Sequence, residues 1–390
     1  MIASIKGLKH APSNFSIEIL PQYLNTNRQL VCYPGSVFEG LVKLTLSEPM
    51  SFQRLKIIFK ATERVNYDAM GWEKIKNDDG RLFAVRTTLL GQPVSSNIEN
   101  NQTTLEAGEH VYPFAVELPL VNYPPSIDHH LIATTFVLLG SLERDTGANG
   151  HSFRSLPYSV YFRPALQTRV NKTLLSHPSD YSEHTASLTH RISAHLSLPS
   201  LEYNLFDTTH IPIQFTLYAA NEQYFADISL QQLHIALKQT ITIYHKSFSR
   251  TETTMIHHVD SRMTNTSSSS SSMVFDCLLK IDQQLLPSVN YSTRFKVDYC
   301  LIVSVKTRHG PLSTKKKLFN LPIHFGTLPP GTLPHETIQL YTEEEVIQST
   351  NLSFKPKFLR PLNNPVEFLP AYDELYRPPS YHSHLVTNSM

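Results

Sequence analysis

Apolar and polar side chains alternate along most of this chain, and a period of two is the pattern of a β-strand with one buried face. The clearest runs, with an apolar residue at every second position or nearly so, cover residues 42–46, 55–61, 112–118, 233–243 and 295–305. Many short strands of this kind are typical of antiparallel sheets with one solvated face, packed as sandwiches. The sequence therefore predicts an all-β protein.

The overall charge is nearly balanced, because the 390 residues include 34 Lys and Arg and 33 Asp and Glu. This balance argues against binding of nucleic acid by bulk phosphate neutralisation. Three cysteines are too few for a disulfide framework or a four-cysteine zinc site. The N-terminus lacks a long apolar stretch and no run of about 18 apolar residues occurs, so we expect no signal peptide, no membrane span and a cytoplasmic protein.

Changes in composition divide the chain into four parts. Residues 13–165 and 191–326 carry the alternating runs and are predicted to be two β domains. Residues 166–190 lose the alternation and are predicted to be a connector. A serine tract within 261–273 has no apolar surface to offset the entropy of ordering, which predicts a disordered loop inside the second domain. Prolines multiply in 327–390, which predicts a disordered C-terminal tail.

The two β regions share a faint repeat. In the first, Ser126 follows a proline and Phe136 begins an apolar strand ten residues later; in the second, Ser288 follows a proline and Tyr299 lies eleven residues later in an apolar strand. One interpretation is that any two strands entered through a Pro-Ser turn look alike. The other is that the chain contains two homologous sandwiches in tandem, and the matched context on both sides favours it.

Two segments of the first region resemble the N-domain of arrestins. The first is "VCYPGSVFEGLVKLTLSEPMSFQRLKIIFKA", with the turn residues Pro34 and Gly35, and the second is "LEAGEHVYPFAVELPLVNYPPSI", with Pro113 in a strand pattern. The resemblance, to α-arrestins in particular, covers about residues 15–165 and extends more weakly over 191–326. It implies two tandem arrestin-like, immunoglobulin-type β-sandwich domains followed by the tail.

The tail contains two short proline-tyrosine motifs. The first is an LPxY variant and the second a PPxY motif, and their defining residues are Leu369, Pro370 and Tyr372, then Pro378, Pro379 and Tyr381. Adjacent prolines favour the polyproline II conformation before binding, and the aromatic groove of a WW domain accepts that conformation at little entropic cost. An ordinary proline-rich end is the alternative, but the second motif nearby and the arrestin-like body favour WW-domain ligands.

No constellation of residues for catalysis, cofactor binding or metal binding is apparent. The histidine pairs at 129–130 and 257–258 lack the partner spacing of a zinc site, so we predict solvated histidines and no metal. The basic run Lys315, Lys316 and Lys317 is predicted to lie in a solvated hairpin turn beyond a strand. Its functional alternatives are contact with acidic lipid head groups and acceptance of ubiquitin.

The resemblance implies an adaptor rather than an enzyme. In α-arrestins the two-lobed body holds a membrane transporter or receptor as cargo, and the tail recruits a HECT-type ubiquitin ligase through its WW domains. The ligase then ubiquitinates the cargo, which is internalised and sorted, so we expect recruitment to the plasma membrane or endosomes. The alternative is an arrestin-fold trafficking coat subunit, similar to that of retromer, that acts without a ubiquitin ligase. Neither function needs a small-molecule substrate.

Overall fold

The computed structural model describes residues 11–71, 79–91, 103–143, 152–169, 182–221, 223–227, 229–246, 248–262, 272–281, 285–309, 312–341 and 354–359. Almost all regular structure in these ranges is β-strand. The helical elements there are a 3₁₀ turn at Pro21–Tyr23 and one short helix, α1, at Gln223–Asp227. Within the described ranges no helix has the length and apolar character needed to cross a membrane.

The strands of the first half lie between residues 14 and 162. They are β1 (Asn14–Ile19), β2 (Val31–Cys32), β3 (Val37–Leu46), β4 (Met50–Phe52), β5 (Arg54–Val65), β6 (Asp79–Gly91), β7 (Thr103–Leu105), β8 (Gly108–Glu117), β9 (Val121–Asn122), β10 (Ile127–Asp128), β11 (Ile132–Glu143), β12 (Ser152–Arg154) and β13 (Tyr158–Phe162). The strands of the remainder are β14 (Ser182–Ser187), β15 (Ile192–Leu198), β16 (Glu202–Asn204), β17 (His210–Ala219), β18 (Ser229–His245), β19 (Phe248–Arg262), β20 (Ser272–Lys280), β21 (Phe295–His309), β22 (Leu312–Gly326), β23 (Gln339–Leu340) and β24 (Lys357–Leu359).

Each half pairs its strands into two main sheets. The first half has the orders β1-β3-β8-β24 and β2-β13-β11-β5-β6, and the second half has β14-β15-β17-β20 and β16-β22-β21-β18-β19. Strands β1, β3 and β8 therefore correspond in chain order and pairing to β15, β17 and β20. Likewise, β2, β5, β6, β11 and β13 correspond to β16, β18, β19, β21 and β22. This matched topology favours the interpretation of two tandem sandwiches.

The two Pro-Ser turns make the same hydrogen bonds in both halves. The amide of Phe162 in β13 donates to Ser126 Oγ (2.9 Å), and the amide of Ser126 donates to the Phe162 carbonyl (3.0 Å). In the second half, the amide of Phe325 in β22 donates to Ser288 Oγ, and the amide of Ser288 donates to the Phe325 carbonyl, both at 2.9 Å. The faint sequence repeat therefore marks a repeated structural contact. In each half, a serine binds the backbone of the sheet strand that comes last in chain order.

Alternation in the sequence correctly identified the residues of both cores. The apolar residues that share the predicted inward face in the runs 233–243 and 295–305 are all buried, as are those in 42–46 and 55–61. Backbone geometry at the turn and strand residues also fits their types. Gly35 has φ +77° in a turn closed by the Ser36 amide on the Tyr33 carbonyl (3.0 Å), the conformation that glycine adopts without strain. Pro113 pairs with Leu41 on one side, and β24 pairs with 115–117 on the other, so Pro113 occupies an edge position, where a strand tolerates proline.

The two halves pack against each other through apolar and polar contacts. One hydrophobic cluster combines the core of the second sandwich with residues of the first, which are Val65, Tyr67, Met70, Ile127, Leu131 and Ile132. Tyr67 also makes a 2.8 Å hydrogen bond with His245 Nδ1, and the two rings lie 4.8 Å apart. The hydroxyl of Tyr291 donates to the Tyr123 carbonyl (3.0 Å). These contacts bury titratable and aromatic groups between the sandwiches.

Three expectations about irregular segments need correction. The connector predicted over 166–190 contains strand β14, which pairs with β15 and so extends a sheet of the second half. Of the loop predicted over 261–273, residues 261–262 belong to β19 and residues 272–273 to β20, and residues 263–271 lie outside the described ranges. The tail predicted over 327–390 begins with ordered structure, including β23 and β24. A strand of two or three residues is too short to show a period in the sequence.

Candidate functional site

The tail leaves the second sandwich at a point where it is tied to the first. Thr327 follows the last residue of β22, and its amide donates to the Leu166 carbonyl (2.9 Å). Its hydroxyl accepts from the Leu166 amide (2.8 Å) and donates to the Pro164 carbonyl (2.6 Å). Thr327 thus holds the start of the tail against the segment that leaves the first sandwich.

The tail then adds strand β23 to the first half. β23 runs parallel to β9, and the amides of Gln339 and Tyr341 donate to the carbonyls of Leu120 and Asn122, each at 3.0 Å. The side chain of Tyr341 is 7% exposed and belongs to the first hydrophobic core. Its ring lies 5.4 Å from that of Tyr123, which is fully buried. Tyr341 therefore anchors the tail to the first sandwich.

A second anchor, β24, begins sixteen residues after Tyr341. β24 pairs antiparallel with the edge of β8, and Phe358 packs against the first core. Burial, and then the neighbouring Tyr341, raise the pKa of Tyr123, so its hydroxyl stays protonated and donates to the Phe354 carbonyl. These anchors were not predicted from the sequence. The available signal is the presence of three aromatic residues in an otherwise proline-rich and polar segment, namely Tyr341, Phe354 and Phe358.

The proposed WW-binding residues lie outside the described ranges. They are Leu369, Pro370, Tyr372, Pro378, Pro379 and Tyr381. What the structure does provide is their point of attachment, because the last residue of β24 is Leu359. The step from Leu359 to Pro378 is nineteen residues, which spans about 63 Å at most when fully extended. Any partner of the motifs is therefore held within that distance of the edge of the first sandwich.

The basic run lies in a strand and not in the predicted turn. Lys315, Lys316 and Lys317 are exposed residues of β22, since β21 continues to His309 and the hairpin closes before Leu312. Because side chains alternate along a strand, Lys315 and Lys317 point to one face and Lys316 to the other. Lys316 Nζ donates to the carbonyls of Ser187 (2.9 Å) and Leu188 (2.7 Å), at the end of β14. Lys316 is thus engaged by the backbone of a neighbouring strand.

The cysteines do not form an activated thiol site. Cys32 is buried, and burial raises the pKa of its thiol to about 12. Cys277 is half-buried, and burial together with Asp276 raises its pKa to about 11. Cys300 is also half-buried, and burial raises the pKa of its thiol despite the opposing charges of Lys317 and Lys238. Since the thiolate is the reactive form, the raised pKa of each thiol argues against a nucleophilic cysteine.

Comparison with known proteins agrees with this fold. Residues 22–154 match the family described as arrestin (or S-antigen), N-terminal domain, a range that runs from before β2 to the end of β12. A comparison with functionally curated proteins found no match. The match concerns the first half alone, where residues 22–154 are similar to an arrestin N-terminal domain, and it agrees with an all-β, sandwich-like fold. Arrestin-family proteins are in general non-enzymatic adaptors, and the match is consistent with a role in trafficking.

Proposed function

We propose that this protein is an α-arrestin-type adaptor that links membrane transporters or receptors to a HECT-type ubiquitin ligase. The observation that carries the proposal is the PPxY motif at Pro378, Pro379 and Tyr381 in a chain whose first domain matches arrestins. The ligase supplies the chemistry, and the adaptor supplies proximity. The expected outcome is ubiquitination of the cargo, followed by its endocytosis and sorting, with the adaptor recruited from the cytoplasm to the membrane.

The proline-tyrosine motifs give the ligase contact its chemistry. The prolines stack on the aromatic residues of the WW groove, and the tyrosine fills a neighbouring pocket that sets the direction. A single short peptide of this kind typically binds with a dissociation constant of about 1 μM, or about −8 kcal/mol. Tyr372 and Tyr381 are nine residues apart, a step of about 30 Å at most, so two motifs can either engage two WW domains or compete for one.

The anchored tail supports this proposal physically. Because β23 and β24 fasten the tail to the first sandwich, a ligase bound at Pro378 stays within about 63 Å of the body that would hold the cargo. A tether of this length converts an encounter between ligase and cargo into an effectively intramolecular one. A tail that left the body directly at Thr327 would give a longer and looser connection.

The exposed lysines of β22 are proposed as ubiquitin acceptors when the docked ligase modifies the adaptor itself. Lys315 and Lys317 are the better candidates, because Lys316 donates to two backbone carbonyls. The same lysines are also the proposed contact with acidic lipid head groups at the membrane, since each charge near such a surface is worth about 1 kcal/mol.

Reconstitution with purified components tests the proposal. Full-length protein is incubated with a HECT ligase of the WW-domain class, its ubiquitin-activating and conjugating enzymes, and ubiquitin. We expect modification of the wild-type chain and of cargo captured from membranes, and loss of both in the double variant Tyr372→Ala/Tyr381→Ala. Tyr376→Ala, outside both motifs, is the matched control. Equal ubiquitination in the wild type and the double variant would contradict the proposal, and capture of cargo with no tyrosine-dependent ubiquitination would favour the coat-subunit alternative.

A further inference from the structure

A rigid hairpin turn presents two adjacent histidines at the contact between the two sandwiches. The amides of His129 and Ile132 each donate to the other residue's carbonyl at 3.0 Å, which closes the turn between β10 and β11. Leu131 inside the turn is 1% exposed and packs in the cluster shared by both halves. Asn66 holds the turn from outside, because its side chain donates to the His130 carbonyl (3.0 Å) and its amide to the Leu131 carbonyl (2.8 Å).

The third member of the cluster comes from the other sandwich. Glu252 lies on β19, and its Oε2 is 2.9 Å from His130 Nε2. The rings of His129 and His130 lie 4.2 Å apart, and one possible ligand atom from each of the three residues lies within 4.8 Å of the other two. Only the histidine pair is visible in the sequence, because the spacing between that pair and a glutamate in the other half carries no periodic signal.

We propose that His129, His130 and Glu252 bind a divalent ion of the zinc class and so fasten the two sandwiches together. Two imidazole nitrogens and one carboxylate oxygen form a ligand set that zinc uses in proteins, with a water molecule at the open fourth position. Zinc holds such ligands at about 2.0–2.2 Å, so ligand atoms on one ion are about 3.3 Å apart in a tetrahedron. Bringing the three ligand atoms to that separation needs only small side-chain movements.

The surroundings of the cluster favour this role. His129 Nδ1 accepts only a long hydrogen bond of 3.3 Å from the Leu131 amide, so the ring can turn at little cost. The His130 side chain is 57% exposed, which gives an ion a path from solvent.

The proposal is independent of the ubiquitin-ligase adaptor role, and metal titration tests it. Full-length protein competes for Zn²⁺ with a chromophoric chelator, and Co²⁺ serves as a spectroscopic substitute whose visible absorption reports tetrahedral coordination. We expect one ion per chain at this site in the wild type. His130→Ala and Glu252→Gln should each weaken that binding by about tenfold or more, since each removes a direct ligand.

An exposed histidine on the same strand as Glu252 provides the matched control. His258→Ala should leave the affinity for Zn²⁺ unchanged, because His258 belongs to a different group of side chains. Its ring lies 6.0 Å from that of His234, which contacts Asp260. Zn²⁺ should also raise the midpoint of thermal unfolding in the wild type and in His258→Ala but not in Glu252→Gln, because an ion stabilises the folded chain only when it binds to it. Equal Zn²⁺ affinity in the wild type, His130→Ala and Glu252→Gln, or loss of binding in His258→Ala alone, would overturn the assignment.

Discussion

Replacement of Tyr341 by alanine tests whether the tail is fastened to the first sandwich. The side chain is almost fully buried against Tyr123, and its hydroxyl lies 3.4 Å from the Leu82 carbonyl. Truncation of a buried aromatic residue to alanine typically costs about 3–5 kcal/mol. A tail segment can detach on its own, however. The free energy of global unfolding should therefore fall by no more than the free energy that docks the segment.

Hydrogen exchange separates local detachment from global destabilisation. At 1.4 kcal/mol per factor of ten, a local loss of about 3 kcal/mol should speed exchange of the Gln339 and Tyr341 amides by about a hundredfold. Tyr341→Phe is the matched control and should exchange almost as slowly as the wild type, because the bond that it loses is long. Unchanged exchange at both amides in Tyr341→Ala would refute the conclusion that this ring anchors the tail.

Three further predictions concern the body. Ser288→Ala should lower the free energy of unfolding by about 1–3 kcal/mol, and Ser126→Ala by less because that serine is more exposed. Negligible losses for both variants in urea titrations would show that the repeated serine contact does not stabilise the fold. Burial opposes ionisation of Glu143, but Lys56 and Arg54 outweigh it and lower its pKa. The stability that Glu143 contributes is therefore present above its unfolded pKa of about 4.3 and lost as pH falls through the lower folded value, so Glu143→Gln should show a weaker acid dependence below about pH 4.3. Mass spectrometry after ligase treatment should find ubiquitin remnants on Lys315 or Lys317; remnants only on other lysines would remove these acceptors.

The sandwiches could be predicted from sequence because their signal is local and periodic. From Phe295 to Val305 every second residue is apolar, and each of these six side chains is buried. The Pro-Ser repeat was visible for a related reason, since a turn followed by a strand has a fixed spacing. In β22 the alternation was weaker, as three consecutive lysines hide it, and the strand was therefore mistaken for a turn.

The partners of the tail anchors and of the histidine pair could not be predicted, because both contacts depend on distant pairing. β23 and β24 contain two and three residues, and their partners, β9 and β8, lie more than 200 residues earlier in the chain. Glu252 meets His130 only after the two sandwiches have packed together. Neither pairing leaves a pattern within a short stretch of sequence, so both are visible only in the folded structure.

The most direct test of the adaptor proposal is titration of the full-length chain with an isolated WW domain from a HECT ligase. The ring of Tyr381 is expected to fill its own pocket, and truncation of such an anchor typically costs about 2 kcal/mol or more. Tyr381→Ala should therefore weaken binding by about thirtyfold, Tyr372→Ala should weaken it less because Leu369 lacks the preset φ of proline, and Ser380→Ala should be close to neutral. Equal affinity of the wild type and Tyr381→Ala would contradict the motif assignment and, with it, the proposed link to a ubiquitin ligase.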